Sequence, residues 1–112
     1  MTIEKLQSEV DIWIKEIGVR YFNELTNMGV LMEEVGELSR YMVRVYGEQS
    51  FKDEKDRLNI KEKIGEEIAD ILFVLTCLSN QMDIDLTSEI KRNLEKKTNR
   101  DHNRHKQNEK LT

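Results

Sequence analysis

Proline is absent from the 112 residues, glycine occurs five times and cysteine once. About five or six prolines would be usual at this length. Their absence excludes a collagen-like or Gly/Pro-rich disordered chain, and scarce turn formers argue against a many-stranded sandwich or barrel. The lone Cys77 permits no internal disulfide and no cysteine-based zinc site, which fits a reducing compartment. Set between Thr76 and Leu78 in an apolar run, it reads as a buried, inert thiol. The longest stretch without a charge runs from Ile71 to Met82, too short to span a bilayer. The start, Met1-Thr2-Ile3-Glu4-Lys5, carries no signal-like apolar segment. A cytoplasmic protein with no membrane partner is expected.

What the chain has in abundance is charge. Charged residues make up 36%, against about a quarter in ordinary domains. Lys and Arg number 18 against 22 Asp and Glu, for a net charge of −4. The surplus is unevenly placed. Glu95 to Thr112 holds six basic and three acidic residues, a +3 tail behind a −7 body. Nucleic acid is therefore not expected as a partner, because the body would repel a polyanion and the tail has no aromatic among its basic residues.

Apolar spacing predicts four helices. The first carries Ile3, Leu6, Val10, Trp13 and Ile17. The second carries Leu31, Val35, Leu38, Met42 and Val45, with Gly47 placed as a C-cap glycine. Residues 47–59 are charged and turn-like and read as an exposed loop. The third begins near Ile60 and is apolar on nearly every side through Leu78, as a central helix would be. Asp83 or Asp85 caps a fourth that carries Leu86, Ile90 and Leu94. The expected fold is all-α, an antiparallel four-helix-type bundle completed by oligomerisation. Residues 1–94 form its core and 95–112 a basic extension with a frayed or disordered end.

Two acidic blocks lie on the two most apolar helices: Glu33-Glu34-Val35-Gly36-Glu37 and Glu66-Glu67-Ile68-Ala69-Asp70. Glu34/Glu37 and Glu67/Asp70 are i, i+3 pairs projecting from neighbouring turns. At 100° per residue, Glu34 and Glu67 each sit about 60° from the centre of their apolar stripes. Asp70 is the only charge between Ile68 and Met82. Carboxylates crowded against a core repel and lose hydration, at a cost of several kcal/mol per uncompensated ion. Lys63 and Arg40, at helical spacing from Glu67 and Glu37, offer one form of relief. A hard divalent cation, Mg²⁺ or Mn²⁺, offers another, and four oxygen ligands on facing helices suit it. No histidine lies near either block, which argues against a di-iron centre.

The pattern Glu33, Glu34, Glu37, then Glu67, Asp70 resembles that of the MazG-like nucleoside triphosphate pyrophosphohydrolases, and the likeness extends from about Ile3 to Arg104. The short single-domain bacterial members are the most similar. Two features depart from the pattern. Twenty-nine residues separate Glu37 from Glu67, one more than the usual spacing. Arg44 stands where larger relatives carry a tryptophan near the base. The resemblance implies Mg²⁺-dependent hydrolysis of a nucleoside triphosphate to the monophosphate and pyrophosphate. It implies Glu34, Glu37, Glu67 and Asp70 as metal ligands, and Glu33 and Glu66 as general-base candidates. It places Lys63, Lys96 and Arg100 on the substrate phosphates, with Asn99 beside them able to bond a phosphate or sugar. Trp13, Tyr21 and Phe22 are candidates to stack on a base. Two rival readings are a phosphoribosyl-ATP pyrophosphohydrolase-like enzyme and a non-catalytic helical oligomer with a structural cation site. A homodimer or homotetramer is expected in each case.

Overall fold

Short polar side chains start three of the four long helices. Thr2 accepts the Lys5 N–H and opens α1 (Ile3–Glu16). Asn23 accepts the Thr26 N–H and opens α2 (Glu24–Val45). Asp85 accepts both the Thr87 N–H and the Ser88 hydroxyl and opens α4 (Leu86–Asp101). Each cap satisfies a backbone donor that has no partner inside the helix. Between the two candidate caps the structure selects Asp85. Asp83 instead takes a left-handed φ of 55° in the turn that ends α3 (Ile60–Gln81). The computed structural model describes residues 1–111, and Thr112, the last residue of the basic extension, lies outside them. Among the described residues there are no strands.

Gly47 follows the Tyr46 C-cap but has no left-handed φ. Glycine suits that site for a different reason: a Cβ there would lie 2.6 Å from the Val43 carbonyl oxygen. The segment 47–59 is not wholly exposed, as the charge pattern had suggested. Phe51 is buried within it, and Glu54–Arg57 form a turn of 3₁₀ helix.

Side-chain contacts reveal the helix directions. Asn27 meets Gln81, Leu31 packs on Val74 and Leu78, and Glu34 approaches Asp70 and Glu67. Likewise Gln7 meets Asn80, Val10 and Ile14 pack on Cys77, and Trp13 meets Phe73. Both α1 and α2 therefore run antiparallel to α3 and parallel to each other. An all-antiparallel arrangement was expected. It fails because the linker of residues 17–23 doubles back along the helices instead of making a tight turn. Val19 in that linker holds a φ of 72°, which costs a β-branched residue about 1–2 kcal/mol. The linker carries Tyr21 to a hydrogen bond with Asp11 (2.6 Å) and another from Asn80 (3.1 Å).

The core is small and, apart from Phe51, belongs to α1, α2 and α3. α4 has no buried residue and packs chiefly on α1. Among the described residues there are four α-helices, but in one chain they do not close a bundle. α4 continues through the change in composition at Leu94–Glu95 to Asp101, followed by turns and a last 3₁₀ turn at Glu109–Leu111. The radius of gyration is 18.0 Å, well above the ~13 Å of a compact domain this long. A second apolar face stays uncovered. Met28, Met32 and Val35 on α2 and Ile68, Leu72 and Leu75 on α3 are all exposed. On α3 this stripe lies about 140–160° around the helix from the Phe73/Cys77 side that meets α1.

Candidate metal centre and adjoining cavity

The antiparallel register of α2 and α3 brings the two acidic blocks together. One carboxylate oxygen from each of Glu34, Glu67 and Asp70 lies within 4.8 Å of the others. Glu67 is buried, Glu34 half-buried and Asp70 exposed, so the group opens to solvent on one side. Glu34 Oε2 and Glu67 Oε2 are sealed from solvent and have no hydrogen-bond partner. Buried carboxylate oxygens without donors are costly, and a hard cation is the ligand their chemistry calls for. The Glu67 carboxyl is pushed up to about 8, first by burial, then by the adjoining carboxylates of Glu34 and Glu37, which can accept its proton when it is protonated and repel its charge when it is not. Glu37 thus stands beside Glu67, outside the close group of three.

The two basic neighbours do not relieve this charge. Lys63 donates to the Asp56 carbonyl at 3.2 Å. Among the described residues, none of the ion pairs involves Arg40 or the clustered acids. Uncompensated repulsion makes the metal-free protein sensitive to pH. Because the folded state raises the proton affinity of Glu67, that stability is complete below about pH 4.5 and is lost as pH rises through about 8. Without divalent cation, the melting temperature is expected to fall by about 5–10 °C between pH 5 and 8.5. Added Mg²⁺ is expected to reverse the fall, most strongly at the alkaline end. Thermal melts across that range with EDTA or Mg²⁺ check both points. A flat metal-free profile would remove Glu67 as a proton-loaded ligand.

A cavity of about 370 Å³ adjoins the cluster, with Glu34 and Asp70 in its wall. Trp13, Tyr21 and Phe22, the three base-stacking candidates, line the same cavity. Trp13 meets Phe73 edge-on, with ring centroids 5.6 Å apart and planes at 88°. Cys77 lines it too, and burial pushes its thiol up to about 11, which keeps it protonated and unreactive.

The remaining sequence candidates fall elsewhere. Glu33 and Glu66 are exposed and belong neither to the oxygen cluster nor to the cavity wall. Lys63 is half-buried outside the cavity. Lys96, Asn99 and Arg100 share a separate concave surface of α4 with Arg92 and Glu95. Arg100 is also engaged, its Nε and one terminal nitrogen donating to the Asp101 carboxylate. Within one chain the acids and the α4 cations are therefore not brought together. Two polar cavity residues escaped the sequence reading, Arg20 and Asn27. Asn27 sits seven residues, two helical turns, before Glu34, and that spacing was the one available signal.

Residues 22–105 match the family model of the MazG nucleotide pyrophosphohydrolase domain. The chain is 40% identical over 103 residues to the protein YpjD of Bacillus subtilis strain 168, covering 92% of this chain and 89% of that one. YvdC of the same organism is 29% identical over 100 residues, covering 83% and 93%. A crystal structure of Bacillus subtilis YpjD matches with a TM-score of 0.69 at 38% identity, over 86% of this chain and 94% of that chain. The crystal structure of a Bacillus-conserved MazG protein, a nucleotide pyrophosphohydrolase, matches with a TM-score of 0.70 at 34% identity, over 86% and 88%.

Proposed function

The chain belongs to the MazG nucleotide pyrophosphohydrolase family, and on that premise we propose that it hydrolyses a nucleoside triphosphate, NTP or dNTP, to the monophosphate and pyrophosphate. The observation that carries this reading is the pair of sealed, unpartnered carboxylate oxygens of Glu34 and Glu67 beside a cavity walled by aromatic rings. The converging acids fit a divalent cation, and Glu34, Glu37, Glu67 and Asp70 would hold it. Mg²⁺, or Mn²⁺, would neutralise phosphate oxygens and polarise an attacking water.

The rest falls to the chain's own side chains. Trp13, Tyr21 and Phe22 hold the base and so place the α-phosphorus at the acidic end of the cavity. A carboxylate takes the proton of the attacking water, and Glu33 and Glu66 are the candidates on the outer side of the ligands. The bond from the α-phosphorus to its bridging oxygen breaks, and pyrophosphate leaves. Lys63, Lys96, Asn99 and Arg100 are assigned to the phosphates. Because α4 stands apart from the acids in one chain, the last three act there from a second copy. The uncovered apolar face of α2 and α3 supports a homodimer or homotetramer. The substrate would be free nucleotide in the cytoplasm, in a role such as clearing unwanted nucleotides. Among the described residues no helix is long and apolar enough to cross a membrane.

Pyrophosphate release across NTPs, dNTPs, modified nucleotides and phosphoribosyl-ATP, with and without Mg²⁺, tests the proposal. Release from a nucleoside triphosphate that requires the cation is expected. Release confined to phosphoribosyl-ATP would move the chain to that chemistry. No release, together with no Mg²⁺-dependent rise in melting temperature, would leave a non-catalytic helical oligomer.

A further inference from the structure

Asn27 is a polar side chain 94% removed from solvent in the wall of the aromatic cavity. Its amide orientation is determined by its partners. The Phe22 carbonyl oxygen can only accept, and it receives one bond from Asn27 Nδ2 and another from Gln81 Nε2. Gln81 then offers its own oxygen, which accepts the second Asn27 amide hydrogen at 2.8 Å. Both donors of Asn27 are spent. Its Oδ1 has no partner among the described residues, yet it is not sealed off like the buried oxygens of Glu34 and Glu67. With Asn27 in the cavity wall, a ligand that displaced solvent from this acceptor would have to supply a donor of its own.

We propose that Asn27 reads the nucleobase, its Oδ1 accepting a hydrogen bond from an exocyclic amino group. The inference rests on the nucleotide reading of the same cavity and deepens it to a class of base. An asparagine with both amide ends free can pair with the N–H and C=O of a uracil or hypoxanthine edge. Asn27 offers only its oxygen, because the NH₂ that would serve a base carbonyl holds the linker at Phe22. A ring carbonyl in front of Oδ1 would set acceptor against acceptor. The amino group of cytosine or adenine supplies the donor without that conflict. Trp13, Tyr21 and Phe22 line the cavity with aromatic surface that tolerates any base. Arg20 in the same wall turns one terminal nitrogen to the Tyr21 carbonyl oxygen, which leaves Asn27 Oδ1, two helical turns from Glu34, as the acceptor that chooses among bases.

The test is kcat/KM for pyrophosphate release by the full chain with Mg²⁺ on two pairs, CTP against UTP and ATP against ITP. Each pair exchanges an amino group for a carbonyl. In the pair containing the better substrate, the amino member is expected to lead by about 10–100-fold. Asn27→Leu removes the oxygen and should bring that ratio close to one. A residue that merely holds the linker would lower both members alike and leave the ratio unchanged in that variant. A wild-type ratio near one or reversed overturns the inference without any variant, as does an unchanged ratio in Asn27→Leu. Absence of pyrophosphate from all four nucleotides would instead overturn the nucleotide reading, and this inference with it.

Discussion

Glu67→Gln is expected to lower kcat/KM for Mg²⁺-dependent pyrophosphate release by about 10³-fold. The same substitution should raise the melting temperature of the metal-free protein at pH 8. Both effects arise from one atom. Glu67 Oε2 is sealed from solvent with no donor, against the carboxylates of Glu34 and Glu37. Glutamine keeps the shape, removes the charge and brings an NH₂ that can donate to Glu34. With no cation bound this relieves repulsion and desolvation, a gain of about 1–2 kcal/mol. With substrate present it removes a ligand from the cluster. Steady-state kinetics and melts with EDTA would measure both. Full activity, or a lower metal-free melting temperature in a folded variant, would remove Glu67 from the metal centre.

Leu72→Lys should separate the proposed homo-oligomer into single chains at micromolar concentration. Leu72 lies mid-stripe on the uncovered face of α2 and α3, about half exposed in one chain. In a two-fold interface each substitution counts twice. Loss of two buried leucines and burial of two lysine stems would weaken the dissociation constant by about 10³-fold or more. Light scattering after size exclusion reads the mass directly, with Leu58→Lys, on the exposed turn before α3, as the control. Activity should fall with the mass, because Lys96, Asn99 and Arg100 stand apart from the acids of their own chain. A monomeric wild-type chain, or a variant of unchanged mass, would overturn the use of this face.

Much of the site was legible because its signals are local. Periods of three and four residues identify helices wherever the chain goes. Two carboxylates spaced i, i+3 share a side of any helix, so Glu34 with Glu37 and Glu67 with Asp70 could be paired before any fold was known. Their position beside the apolar stripes already marked them as acids under strain. Asp85 likewise announces a helix start by its own chemistry.

What the sequence by itself determined was the set of helices and the two acidic blocks on them. Each depends on residues a few positions apart, within reach of one helical turn. Only the tertiary structure decided that α1 and α2 run parallel, because the return path of residues 17–23 is stabilised by distant partners at Asp11, Asn80 and Gln81. The same packing selected Glu34, Glu67 and Asp70 as the close group, left Glu33 and Glu66 outside it, and carried Lys96, Asn99 and Arg100 away on α4. Asn27 is the sharpest case. A buried asparagine and a surface asparagine are the same letter in a sequence, and only the folded partners show that both its amide hydrogens are used while its oxygen has no donor.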